Sequence, residues 1–279
     1  MVSEVFPEID QDLLGWEYRA GRASPRARWQ RCSSAARSPD RVRLPVTGHR
    51  PSGIGAPGPR RIELAATAVL LALEPTGERA APEDWPILSD PERAAAQAIQ
   101  DRLRRAEFIR SRSLLRRLAG SALDLPPTQV PLRHEPSGRP YLSGHDAGVS
   151  LSHTEGLTAA ALCPDGPVGV DVQSHPASID DRLLRRCCGP WAEQIAGLPP
   201  AARAAKFAHV WSVQEACVKA VGQGIFAEPW HIPVHPDAHR GRWHGRWGEV
   251  AWRALPDTAP AAWAVAVAVA VEVAATRSG

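Results

Sequence analysis

The sequence predicts an α+β protein of two similar halves. Three observations carry this. Strand, helix, strands is the coarse order of elements, and that order occurs twice along the chain. Apolar residues alternate with period 2 in the strand segments, most strictly in AWAVAVAVAVEV near the C-terminus, where Val265, Val267, Val269, Val271 and Val273 share one face. The chain has 279 residues and is 44% hydrophobic, enough for a sizeable core in one large domain or two small ones.

The elements follow in order. Residues 1–60 are set apart by composition. Eleven arginines occur up to Arg61, and Pro45 to Pro59 is nearly all turn formers, so this segment is expected to be a disordered or loosely attached extension. The first half, 61–166, opens with IELAATAVLLAL, residues 62–73, which predicts one buried strand. LSDPERAAAQAIQDRLRRAEFIRSRSLLRRLAGSAL is helical throughout and holds two helices. Ser89 is the N-cap with Glu92 at the capping-box position, Leu114, Leu115 and Leu118 supply apolar positions, and Gly120 permits a stop. Residues 125–147 read as turns. A strand GVSLSH follows, then LTAAALCP, a tight PDGP turn and VGVDVQ, a pattern that signals a hairpin between the last two runs. The second half, 167–275, continues with a looped helical region, a helix starting near Ala201 or Ala208, and strands at WHIPV, GEVAWRAL and the alternating run.

Composition narrows the function classes. The net charge of +3 is a mild excess of base and by itself no signature of a nucleic-acid binder. Lys plus Arg total 33, and only Lys206 and Lys219 are lysines. A retained lysine is either chance or a position needing a compact ammonium. The five cysteines form no CxxC pair, so neither a disulfide framework nor a zinc site is expected, and a reducing cytoplasm is the default. Acidic residues stand where a signal peptide would be apolar, and the alternating Ala/Val run is too short and too strand-like for a membrane span.

Several stretches could carry chemistry. In VGVDVQ the valines face a core, so Asp171 and Gln173 share the other face. Aspartate is disfavoured in strands. The pair is either the solvated face of an edge strand or an oxygen set for a hard cation such as Mg²⁺, which completes its shell with water and phosphates. In SLSHTEG, Ser152 and His153 either satisfy nearby backbone or contact phosphate. Arg139 sits in the tight turn PSGRPYL, aimed outward. Arg112 and Arg116 lie four apart on one helix face, which taken alone is a solvated basic face. In WSVQEACVKAVGQG, Glu215 and Lys219 are one helical turn apart, as a surface ion pair or as working groups.

Taken in order, GRP, SLSH, GVDVQ and FAHVWSVQEACVKAVGQG resemble the motifs of 4′-phosphopantetheinyl transferases of the surfactin-synthetase-activating type, over about residues 62–273. The resemblance implies two α+β halves related by pseudo-twofold symmetry, with coenzyme A and Mg²⁺ in the cleft between them. It implies transfer of phosphopantetheine to a serine of an apo acyl or peptidyl carrier protein, with release of adenosine 3′,5′-bisphosphate. A weak relative that binds without turnover is the alternative. By residue, Asp171, Gln173 and Glu215 match the metal positions. Glu215 also matches the base and Lys219 the partner of the leaving phosphate. Arg112, Arg139, Ser152, His153 and Lys219 match coenzyme A contacts. Gln173 stands where the family usually has Glu, which implies altered Mg²⁺ affinity. Gln214 stands where it usually has Lys, and its direction, about 100° from Glu215, implies contact with substrate phosphate or solvent. The expected protein is a cytoplasmic monomer without nucleic-acid or membrane partners.

Overall fold

The structure is a computed structural model describing residues 58–223, 228–245, 247–256 and 262–271. The expected N-terminal extension falls almost wholly outside these residues, as does Val273.

The chain is mixed α+β. Strands β1 (Arg60–Leu64), β2 (Thr67–Pro75), β5 (Gly148–Thr154) and β6 (Leu157–Cys163) form one sheet in the order β1-β2-β6-β5. Strands β7 (Val168–Ser174), β8 (Arg240–Gly245), β9 (Gly248–Ala254) and β10 (Trp263–Val271) form a second in the order β7-β10-β9-β8. All pairings are antiparallel. Helices α1 (Asp90–Ala98) and α2 (Arg102–Leu123) belong to the first sheet's segment. Helices α3 (Asp181–Cys188), α4 (Ala192–Ala196) and α5 (Pro200–Ala220) lie between β7 and β8.

Alternation along the strands sorts side chains into layers. Val69, Leu71, Ala159 and Ala161 of the first sheet meet Val168, Val170, Val265 and Val267 of the second in one apolar layer. On the outer face of the first sheet, Leu70, Leu151 and Leu162 pack against Leu114, Leu115 and Leu118 of α2. On the outer face of the second, Val250, Ala266 and Ala268 pack against Val210, Val213 and Cys217 of α5. Each fully buried aliphatic side chain contributes about 1.5–3 kcal/mol.

Several expectations need correction. The run 62–73 is two strands, not one: β1 turns into β2 at Ala65–Ala66, with Ala65 at φ 54° and Leu64 opposite Thr67. The residues from 125 to 147 contain a two-stranded hairpin, β3 (Leu132–His134) and β4 (Pro140–Leu142). Helix α2 runs past Gly120 to Leu123. A Cβ at Gly120 would lie 2.7 Å from the Leu125 carbonyl oxygen, so this glycine permits close approach rather than a stop. The PDGP turn joins no hairpin. β6 pairs with β2 and β5, β7 pairs with β10, and the turn carries the chain from one sheet to the other. Trp230 and His231 sit in a 3₁₀ turn (Pro229–His231) rather than a strand, and β8 was not foreseen. The expected capping box is present: the Glu92 carboxylate accepts the Ser89 N–H at 2.8 Å.

Candidate functional site

Edge strand β7 lies under helix α5, and Gly169 sets how closely they approach. A Cβ there would be 2.0 Å from the Ala216 carbonyl oxygen and 2.6 Å from the Ala220 amide nitrogen. Two residues along the same face, Asp171 is buried at 5% exposure. Its Oδ1 accepts a hydrogen bond from Lys219 Nζ at 2.8 Å and another from Ser152 Oγ at 2.8 Å. Lys219 Nζ also donates to Ser152 Oγ at 3.1 Å. Asp171 is therefore no solvated edge residue, and Lys219 reaches across to both β7 and β5. The other lysine, Lys206, pairs with Asp237 near the surface.

Ser152 belongs to a polar seam between the sheets. β5 presents Ser150, Ser152 and Thr154 to the outer edge of β7. The N–H groups of Val170, Val172 and Ser174 donate to these three hydroxyls at 3.1, 3.3 and 3.3 Å. Side-chain oxygens take the place of a neighbouring strand, satisfying an edge that would otherwise be buried with unpaired donors. The alternating hydroxyls of VSLSHT were the sequence signal for this seam. His153 points the other way, as alternation requires. Its Nε2 lies 3.8 Å from Glu107 Oε2 at the start of α2, and burial raises the Glu107 carboxyl above its ordinary pKa. Ser152 and His153 thus do not face one common point.

Arg139 and Lys219 line one shallow cleft with Gly138 and Leu151. The end of α5 explains why. The N–H of Gln223 donates to Val218 O at 3.0 Å and that of Gly222 to Lys219 O at 3.1 Å, closing the helix with Gly222 at φ 72°. Arg139 lies over this glycine, and a Cβ there would be 2.0 Å from its Nη1. Gly222 therefore serves both the helix stop and the approach of the Arg139 turn, a role the sequence reading missed.

Glu215 is half-buried on α5, one turn before Lys219, and Gln173 is half-buried one pleat beyond Asp171. The Glu215 charge acts on Cys187, whose thiol is pushed up first by burial, then by neighbouring Cys188, with Glu215 a smaller cause. Asp171, Gln173 and Glu215 would offer two carboxylates and an amide oxygen. Among the described residues no group of three or more His, Cys, Asp or Glu gathers to hold a metal. An all-oxygen set with two negative charges still suits Mg²⁺, which binds through one or two carboxylates and keeps waters and phosphates.

Two readings are overturned. Arg112 and Arg116 form no solvated face: they are 3% and 2% exposed. Arg116 Nε pairs with Glu92 at 2.8 Å, and Nη1 donates to the carbonyls of Pro127 and Val130 at 3.2 Å each. The Arg112 guanidinium lies 5.0 Å from the Phe108 ring centroid. Desolvation, then the Arg112 charge, bring the His134 imidazole down to about 4. Gln214 touches neither phosphate nor solvent. It is fully buried, and its Nε2 donates to Cys187 O at 2.8 Å and Ile232 O at 3.0 Å, tying the end of α3 and the 229–232 segment to α5.

Fold and site now stand beside known proteins. Residues 167–268, which hold Asp171, Glu215 and Lys219, match the 4′-phosphopantetheinyl transferase superfamily. The chain is similar to the 4′-phosphopantetheinyl transferase HetI of Nostoc sp., with 31% identity over 144 residues, covering 50% of this chain and 61% of that protein. It is also similar to the 4′-phosphopantetheinyl transferase psf-1 of Bacillus pumilus, with 30% identity over 145 residues, covering 50% of this chain and 60% of that protein. The matched part thus spans about three fifths of these relatives' lengths. Among the described residues, no helix is long and apolar enough to cross a membrane.

Proposed function

We propose that this protein transfers the 4′-phosphopantetheine group of coenzyme A to a serine of an apo acyl or peptidyl carrier protein, with Mg²⁺, releasing adenosine 3′,5′-bisphosphate. The observation that carries the proposal is the buried Asp171–Lys219 pair, set between β7 and α5 inside the segment that matches the superfamily. Asp171, Glu215 and the Gln173 amide oxygen would hold Mg²⁺. When bound, the ion would neutralise charge on the pyrophosphate.

The chain's own groups supply the rest. Lys219 stands beside Asp171 and lines the cleft shared with Arg139. Both cations suit the departing phosphate, where charge develops. Glu215 is the base that removes the carrier serine's proton, an effect typically worth about 10²–10⁴-fold. Arg139 is held over Gly222 and would steer coenzyme A phosphate; Arg112 and His153 are assigned supporting contacts to it. The two-half arrangement, divided near residue 166 and related by pseudo-twofold symmetry, would put carrier and coenzyme at one cleft. A cytoplasmic monomer without nucleic-acid or membrane partners remains the expected form.

A second reading is binding without turnover, favoured by the neutral Gln173 beside Asp171. One assay separates the two. The protein is incubated with coenzyme A, Mg²⁺ and apo carrier proteins, and carrier mass is measured. A phosphopantetheine adduct is expected. Its absence across fatty-acid, polyketide and peptide carriers would sink the proposal. Glu215→Gln and Asp171→Ala should each lower the rate by about 10²-fold or more.

A further inference from the structure

The geometry points to Ser152 as a positioning residue that aims the Asp171 carboxylate, and not as a contact of the coenzyme. The inference rests on the metal reading of Asp171 given above. Ser152 Oγ makes every hydrogen bond a hydroxyl can make. It donates to Asp171 Oδ1 at 2.8 Å, and it accepts from Val172 N–H at 3.3 Å and from Lys219 Nζ at 3.1 Å. It is 5% exposed and faces β7. With its donor and both acceptor directions used, it has nothing left for a phosphate.

The effect on Asp171 follows from where the bonds land. Ser152 and Lys219 both donate to the same oxygen, Oδ1. Two donors from different elements, β5 of the first sheet and α5 of the second segment, therefore set the plane of one carboxylate. A carboxylate held in this way presents its remaining coordination directions without a rotational search. Groups that orient metal ligands in this manner typically change metal affinity 10–100-fold when removed. Ser152 also links the two sheets, because the same hydroxyl takes a β7 amide. The aim of Asp171 thus depends on the first sheet staying docked on the second.

Thr154 supplies the control. Its hydroxyl takes the Ser174 N–H at 3.3 Å, the same length as the seam bond of Ser152, and its other contact is Ser174 Oγ at 3.2 Å, not Asp171. Loss of a seam bond alone should therefore affect Ser152→Ala and Thr154→Val alike. Both variants and the wild type are titrated with Mg²⁺ by calorimetry in saturating coenzyme A. Coenzyme A is titrated separately without metal, and thermal melts are recorded for all. Ser152→Ala should weaken Mg²⁺ affinity about tenfold. Thr154→Val should leave it unchanged at a comparable loss of melting temperature. Metal-free coenzyme A affinity should be the same in all three. Ser152→Thr keeps the hydroxyl and should titrate like the wild type; it decides the matter if the alanine variant does not fold. Equal Mg²⁺ affinity in Ser152→Ala and wild type overturns the inference while leaving the transferase proposal intact. So does a fall in metal-free coenzyme A affinity. A wild type that takes up no Mg²⁺ overturns the metal reading and this inference together, whereas the carrier-mass assay tests transfer itself.

Discussion

Gly169 and Ala216 lie so close that the strand and the helix behave as one surface: a methyl group on Gly169 would sit 2.0 Å from the Ala216 carbonyl oxygen. Backbone cannot yield at that distance without moving α5 off β7. Overpacking a core typically costs about 1–3 kcal/mol, occasionally more. Gly169→Ala should fall at or beyond the upper end, because the obstacle is main chain. It should also separate Lys219 from Asp171. A urea midpoint within error of the wild type would contradict this.

The Asp171–Lys219 pair should behave as a coupled unit. Side-chain exposure is 7% and 18%, so removing one partner strands a charge in a poorly hydrated place. Lys219→Met or Asp171→Asn alone should cost about 3 kcal/mol. The double variant should lose much less than the sum of the two. Strict additivity in a double-mutant cycle by urea denaturation would show that the pair is not coupled.

Gln214 gives a separate prediction, because its amide is spent on two carbonyls. Gln214→Leu leaves Cys187 O and Ile232 O without that donor and should cost about 2 kcal/mol. KM for coenzyme A should not change. Gln214→Lys keeps donors at the site but buries an ammonium there and should lose at least as much. Its acceptor Oε1 has no hydrogen-bond partner among the described residues, so only donor capacity is used at this position. A raised KM with unchanged stability would return Gln214 to the substrate.

Acid should weaken the fold through His209. Burial, the largest cause, lowers its imidazole to about 4, while its Nε2 meets Ala238 O at 2.9 Å. The depressed folded value means the unfolded chain binds the proton more tightly. Stability is therefore full above the unfolded pKa near 6.5 and is lost as pH falls from there towards 4. Melting temperatures measured from pH 7.5 to 4.5 should drop, and the drop should shrink in His209→Gln. Parallel profiles would rule out His209 as the cause.

How much of this could be read beforehand depended on whether a residue broke a local rule. Asp171 did so, as a charge in an apolar strand, and it lies buried against Lys219 and Ser152. Glu215 and Lys219 were legible by spacing, but not the partner: Lys219 reaches across to Asp171, a contact 48 residues away in sequence. Gln214 was misplaced because α5 is buried nearly all round, between the second sheet and α3, so its sequence shows no clean apolar face to orient by. Ala65–Ala66 carries no turn chemistry, and the hairpin there depends on an alanine accepting a positive φ. The PDGP turn correctly marked a reversal, yet a turn cannot say which strands will pair. Arg116 looked solvated because its carboxylate partner, Glu92, comes from outside that helix.

The hydroxyl seam along β7 has a consequence for motion. Three amides, Val170, Val172 and Ser174, are shielded by side chains of the other sheet rather than by a strand of their own. Their hydrogen exchange should track the parting of the two sheets rather than the melting of either one. They form a built-in clock for any opening of the molecule, readable in solution with no ligand and no label.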